Sequence, residues 1–491
     1  MDAPDDYKAR KEAFVSNLSG GSLTEINTVL AIAPLAYLLW AALQSRIRLF
    51  QPYNAGLVAL DTFINCGALL LAVTVYSDQP VLLNLLFASP AVLICLLNPL
   101  SSKKLSKPKN ASHVRSETTL MSELPKKSFL TVYRGTMMVI TCIAILAVDF
   151  KVFPRRFAKV ENWGTSIMDL GVGSFVFSGG LVAARTIVKQ YMAQSGVTFQ
   201  HRMKTAMRSA IPLLVLGFVR LAMVKGVDYA EHVTEYGVHW NFFFTLGLIG
   251  PFVALLQTIS SSTKGRPMIL YTCLSLTVGI VYQIVLNTTG LQEYILVGDR
   301  HKYGIFGMNK EGFSSFFGYL SIFLAGISTG TYVLPKDSST RPKESKMLKL
   351  LGVWFVFWTA AYMACTEYWG FKMSVSRRVA NLPYVFWVAS FNTGQLMAFY
   401  LVERTFFSAR VTGGMTEKET YSFSTPWVLE AFNRNGLAIF LVSNLCTGVV
   451  NLSVQTLDTP RVPAMAILAS YVGILALLAI ILDHFNISVK L

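Results

Sequence analysis

Long apolar runs, separated by short clusters of charged and turn-forming residues, repeat along this chain from Ile26 to its C-terminus. The runs are continuous and lack the two-residue alternation of a lipid-facing barrel strand, so they read as helices. Most hold the roughly 20 residues a helix needs to cross a hydrocarbon core of about 30 Å. The pattern predicts thirteen transmembrane helices, over 26–43, 57–76, 81–97, 129–148, 167–188, 206–224, 240–256, 268–286, 313–333, 348–364, 384–401, 436–454 and 464–482. The sixth is short and carries Arg208 and Arg220. The expected fold is therefore all-α: one polytopic membrane domain over residues 1–491, containing cytosolic loops at 101–128 and 403–435. The stretch before Ile26 is polar, with Asp2, Asp5, Asp6, Lys8, Arg10 and Lys11, and does not read as a cleavable signal peptide.

Composition agrees with lipid as the solvent. Of the 491 residues, 53% are apolar and 14% charged, against about 25% charged in an ordinary soluble domain. The net charge of +16 would suggest nucleic acid in a soluble protein. Here its distribution decides: alternate loops differ in Lys and Arg content, and the positive-inside rule puts the richer set in the cytosol. That set includes the loop with Lys103, Lys104, Lys107 and Lys109 and the one with Lys336, Arg341 and Lys343. The C-terminus is then cytosolic and the N-terminus lumenal, with no nucleic-acid partner expected. Cys66, Cys95, Cys142, Cys273 and Cys446 lie inside apolar runs without CxxC spacing, so neither a disulfide framework nor a metal site is expected.

The lumenal loops at 149–165, 225–241, 291–312 and 367–383 mix charge, aromatics and glycine too densely for plain connectors. The first opens with Asp149 and continues Phe153-Pro154-Arg155-Arg156-Phe157-Ala158-Lys159. Pro154 should break the helix and fold the loop back, so that Asp149 and Lys159 meet. Arg155 and Arg156 offer the planar fork that suits phosphate, with headgroup anchoring as the plainer alternative. Asp169, entering the fifth run, is costly unless paired and is expected to face Arg155, Arg156 or Lys159. Gly171, Gly173, Gly179 and Gly180 fit close helix packing better than a phosphate loop. In 231–241, Glu231, His232, Glu235 and His239 suit hydroxyl activation, and Trp240 and Asn241 polar substrate binding; the spacing is not the HExxH of zinc hydrolases, and a structural histidine at a helix end is the alternative. Arg377 and Arg378 repeat the basic theme and, with Arg155 and Arg156, suit a cationic mouth for a phosphorylated headgroup, or interfacial anchoring. Asn444, Thr447 and Asn451 share a helical face, for interhelical hydrogen bonds first and substrate second.

Taken in order, the stretch Lys11-Glu12-Ala13-Phe14-Val15-Ser16-Asn17-Leu18-Ser19-Gly20-Gly21-Ser22, the run 149–173 and the segments 231–241 and 376–384 resemble motifs of the GPI inositol-acyltransferase family in its fungal branch. The resemblance implies a multi-pass enzyme of the endoplasmic reticulum membrane. Such an enzyme moves a fatty acyl group, typically palmitoyl, from acyl-CoA to the inositol of glucosaminyl-phosphatidylinositol. It would take acyl-CoA as co-substrate with no further cofactor, and its partners would be acyl-CoA, the glycolipid and membrane lipids. Its essential acid and lysine match Asp149 and Lys159. Attack of a secondary alcohol on a thioester needs a base, oxyanion stabilisation and exclusion of water. Asp149 would be the base or would fix Lys159, Lys159 would hold the oxyanion, and His232 or His239 is the alternative base. No serine nucleophile elbow is visible, which favours direct transfer. The rival class is a glycolipid transporter or scramblase, with the same charges lining a path.

Overall fold

The computed structural model describes residues 4–98, 124, 126–192, 197–226, 233–260, 267–334, 344–367, 371–407, 412 and 414–489. Among these residues the structure is helical, apart from one isolated bridge between Gly20 and Thr165. A surface helix, α1 (Pro4–Val15), precedes the first span, which is made of α2 (Leu23–Leu30) and α3 (Ile32–Ile47). The second span is α4 (Ala55–Thr62) joined by a π-turn to α5 (Ala68–Val73), and the third is α6 (Pro80–Leu97). Then come α7 (Ser128–Ala147), α8 (Ile167–Met192) and α9 (Phe199–Gly226). A short turn of helix, α10 (Val233–Tyr236), leads into α11 (Phe242–Ser260) and α12 (Pro267–Thr288). After two short helices, α13 (Leu291–Val297) and α14 (Gly304–Met308), the chain continues in α15 (Lys310–Val333), α16 (Glu344–Thr366) and α17 (Leu382–Phe406). It ends with α18 (Glu417–Ser424), α19 (Trp427–Arg434), α20 (Gly436–Ser453) and α21 (Arg461–His484).

Twelve of these helices or helix pairs are long and apolar enough to cross a membrane, and α11 supplies a shorter apolar helix where the seventh span was expected. The weak sixth span is a long helix, α9, because the polar residues Gln200, His201 and Arg202 extend it beyond the apolar run. Within 403–435, expected as a loop, α18 and α19 are helical; Val428, Leu429 and Phe432 of α19 are buried against the bundle.

The centre of the bundle is α15, with 89% of its membrane-length window buried. Glycines let it approach α8 closely: a Cβ on Gly180 would stand 2.0 Å from the Phe323 carbonyl oxygen, and one on Gly326 would stand 2.1 Å from that of Phe177. Hydroxyls zip α15 to α12, where Ser275 Oγ donates to the Ser321 carbonyl at 2.8 Å and Ser321 Oγ returns the bond at 2.7 Å. Inside a membrane, where apolar burial gives helices little drive to associate, small residues and reciprocal polar bonds are what hold such a pair together.

The two ends of the bundle are distinct. At one end the N-terminal segment meets the loop after α7: Gly21 N–H donates to Thr165 O at 2.8 Å, and Thr165 Oγ1 donates to Gly21 O at 2.8 Å. At the other end Asp483, near the end of α21, accepts from Trp427 Nε1 and Arg434 Nη1 of α19, each at 2.9 Å. The N-terminal segment and the end of α21 therefore lie on opposite faces, as an odd number of spans requires.

Candidate active site

The loop leaving α7 is folded back by its own residues. Arg155 Nη2 donates to the carbonyls of Val148 at 2.9 Å and Phe153 at 2.8 Å, satisfying groups that the end of a helix leaves open, and its guanidinium lies 3.8 Å over the Phe14 ring. Pro154 precedes a single 3₁₀ turn, after which the chain returns toward α8. Three segments then interlock. Asn162 O accepts from Ser376 Oγ at 2.6 Å, Asn162 Oδ1 accepts from Arg378 Nη1 at 2.6 Å, and Gly164 N–H donates to Val375 O at 2.9 Å. Gly164 has φ +137°, and a Cβ there would fall 2.1 Å from the Ser19 carbonyl oxygen, so the site end of the fold demands glycine at this position.

Inside this interlocked end opens a cavity of about 1250 Å³, larger than the 300–1,000 Å³ or so of a typical small-molecule pocket. Asp149 and Lys159 both line it, with His239, Trp240 and Asn241. It continues to Tyr133, Asn392 and Phe399. From Tyr133 to the end of α7 is about 21 Å at 1.5 Å per residue, so the cavity runs through much of the membrane depth. Its walls are mostly apolar along this length. Leu445 and Leu452 of α20 and Val219 of α9 line the cavity and are also 61%, 90% and 48% exposed, so the wall between these two helices opens to the membrane.

Asp149 and Lys159 face the same space but do not bond to each other, a correction to the expectation that their side chains meet. Each has a nearer partner. Asn451 Nδ2 donates to Asp149 Oδ2 at 2.7 Å, and Lys11 Nζ donates to Asn451 Oδ1 at 2.8 Å. Burial raises the Asp149 carboxyl above its ordinary value, against the opposing pull of Asn451, Lys11 and Arg155. Lys159 Nζ bonds Glu235 Oε1 of α10 at 2.5 Å, and Arg377 Nη1 reaches the same oxygen at 3.4 Å. Burial opposes ionisation of Glu235, but Lys159 and Arg377 outweigh it and hold its carboxyl at about 2.

The partner of Asp169 is also different from the expected one. Arg377 Nε bonds Asp169 Oδ1 at 2.5 Å, while Asp169 Oδ2 accepts from Ser166 Oγ at 2.7 Å and Val160 N–H at 3.1 Å. Lys159, Glu235, Arg377 and Asp169 thus form one alternating chain of charges from the cavity wall into the protein. The four arginines do not assemble a cationic mouth. Arg155 caps the end of α7, and Arg156 bridges Glu25 and Asp78 at 2.6 Å each. Arg378 is buried on Glu311 at 2.9 Å and on Asn162, leaving Arg377 as the one of the four on the cavity wall.

His239 lies on that wall, its backbone N–H and that of Trp240 both held by Asn309 Oδ1, at 2.8 and 2.9 Å. Trp240 Nε1 donates to Thr245 Oγ1 at 2.9 Å, and its ring packs 4.6 Å from that of Phe313. Asn241 Oδ1 accepts from Phe243 N–H at 3.1 Å at the start of α11, and its Nδ2 donates to Gly217 O at 2.9 Å, tying α11 to α9. Glu231 and His232 lie outside the described residues. Among the described residues no cluster of His, Cys, Asp and Glu suits a metal. Gly173 and Gly180 serve helix packing, against Val388 and the Phe323 backbone, whereas Gly171 faces open space on the cavity wall.

The stretches 11–22, 149–173 and 376–384, with the described part of 231–241, meet around this one end of the cavity. The model of the GWT1 family matches residues 7–482. The chain belongs to the GWT1 family. It is 49% identical to GPI-anchored wall transfer protein 1 of Gibberella zeae, over 99% of each chain. The proteins of the same name from Aspergillus fumigatus and Saccharomyces cerevisiae are 48% and 37% identical, again over 99% of each chain. In this GWT1-family protein the match spans the bundle, the interlocked loops and the cavity, and the chain is a multi-pass membrane protein.

Proposed function

We propose that this GWT1-family protein acts in GPI-anchor biosynthesis as a membrane O-acyltransferase, moving a long acyl group from acyl-CoA to an inositol hydroxyl of glucosaminyl-phosphatidylinositol on the lumenal side of the endoplasmic reticulum membrane. One observation carries the reading: a half-buried carboxylate and a fixed ammonium, Asp149 and Lys159, look into one deep apolar cavity that is open to the membrane. An acyl chain suits the apolar depth, and a lipid with a polar head suits entry between α9 and α20. In the reaction the inositol oxygen attacks the thioester carbon while Asp149 takes the hydroxyl proton. Lys159, held in place by Glu235, stabilises the oxyanion. Collapse of the intermediate breaks the C–S bond, and the thiolate leaves with the proton from Asp149. Arg220, exposed on α9 and lining the cavity, is the cation best placed for the lipid phosphodiester as it enters.

The test is purified protein in nanodiscs supplied with labelled acyl-CoA and the glycolipid. Formation of acylated glycolipid, lost in Asp149→Asn, supports the reading. Movement of the glycolipid across vesicle membranes without acylation would overturn it in favour of a transporter.

A further inference from the structure

We propose that Lys11, on the N-terminal helix, is a positioning residue for Asp149: it fixes the Asn451 side-chain amide so that the amide donates to the carboxylate. The inference rests on the reading of Asp149 as the base. The geometry is a relay across three elements, from Lys11 Nζ on α1 to Asn451 Oδ1 on α20 at 2.8 Å, then from Asn451 Nδ2 to Asp149 Oδ2 at 2.7 Å. An ammonium has three donors and no acceptor, so the amide atom it meets must be the oxygen. The NH₂ group is thereby turned toward Asp149. A carboxylate accepts that bond and keeps Oδ1 for the substrate hydroxyl. Without Lys11 the amide is free to turn its oxygen to Asp149, an arrangement that favours the protonated acid and silences the base.

Lys11 is held in place by its own helix. Arg10 Nη2 bonds Asp458 Oδ1 at 2.5 Å, Leu457 N–H donates to Tyr7 OH at 3.3 Å, and Phe14 lies under Arg155. Lys11, Glu12 and Phe14 all line the cavity, so α1 forms part of the site wall. Among the described residues the charged groups acting on Asp149 are Lys11 from α1 and Arg155 from the loop after α7, with the Asn451 amide from α20. Of the two cations, only Lys11 acts through that amide. An opposite charge at such range shifts a carboxyl by about 1–3 pH units.

The experiment follows the Asp149 carboxyl directly, by its protonated infrared band in full-length protein without substrate, assigned by its absence in Asp149→Asn. In Lys11→Met the band's titration midpoint rises by about one pH unit or more. The acid limb of kcat/KM moves with it, a roughly tenfold loss one unit below the original midpoint, with recovery at the alkaline plateau. Lys11→Arg restores both. Asn451→Leu raises the midpoint with Lys11 intact, and adding Lys11→Met to it raises the midpoint by less than Lys11→Met does alone, since only the direct pull of the charge is then left to lose; Asn451→Leu alone keeps the test open if Lys11→Met folds poorly. An unmoved midpoint, or a uniform loss of turnover at every pH that Lys11→Arg does not rescue, would overturn the inference and leave Asp149 as the base. A moved midpoint in an enzyme whose Asp149→Asn variant turns over normally would overturn the catalytic reading and leave the relay standing.

Discussion

Asp149 and Lys159 line one cavity from separate anchors, and in the proposed reaction each anchor sets a measurable property. Asp149→Asn removes the base and Lys159→Met the oxyanion partner, so each should cut kcat by about a hundredfold or more while the protein remains folded. The double variant should be little worse than either single one, because both act on the same transition state. With Asp149 as the proposed base, the wild-type rate should fall on acidification at a higher pH than an ordinary aspartate would set, since burial raises its pKa. A rate unchanged down to pH 4 would assign the base to another group. At this scale the sequence was legible in part. That Asp149 and Lys159 share one loop and one cavity was legible from a charged, proline-broken segment and from the family resemblance, but their partners were not. Glu235 and Asn451 were visible as polar positions, whereas nothing in a linear reading shows that residue 451 faces residue 149 or that 235 faces 159. Asn309, which holds the backbone of His239 and Trp240, gave no signal at all.

At the scale of elements, two glycines of α8, Gly171 and Gly180, have opposite surroundings. A Cβ on Gly180 would overlap the Phe323 backbone, and backbone cannot turn aside as a side chain can; a Cβ on Gly171 meets nothing within 4 Å. Gly180→Ala should therefore lower the thermal midpoint of the detergent-solubilised protein by several degrees. Gly171→Leu should leave that midpoint unchanged or raise it, since leucine is the better helix former, yet should reduce binding of a long-chain acyl probe by narrowing the cavity. Equal destabilisation by both would mean that α8 has no free face at Gly171. Helices themselves were readable from hydropathy because lipid enforces the pattern span by span. Which glycine packs and which lines a void depends on α15 and α20, elements far along the chain, and so lay beyond the pattern.

For the whole molecule, stability at the site end rests on charges that have been withdrawn from water. Arg377→Gln would leave Asp169 and Glu235 without their shared partner, a change that costs about 3–5 kcal/mol in buried pairs. The expected result is a clear drop in thermal midpoint, greater than for Arg156→Gln, whose ion pairs are solvated. Glu235 has its folded-state pKa depressed from 4.5 to about 2, so its stabilisation is complete above about pH 4.5 and is lost as pH falls from there toward 2. The orientation proposed for the bundle has its own test: in a background without reactive thiols, a cysteine at Lys107 should label from the cytosolic side of intact microsomes and one at Gln292 should not. The opening between α9 and α20 also decides what concentration means for this protein. A substrate arriving through that gap is dissolved in two dimensions, so the governing variable is its mole fraction among lipids and not its amount per litre. Diluting the glycolipid with inert phospholipid at constant bulk concentration should then slow the reaction, whereas adding more aqueous volume should leave the glycolipid's saturation curve where it was.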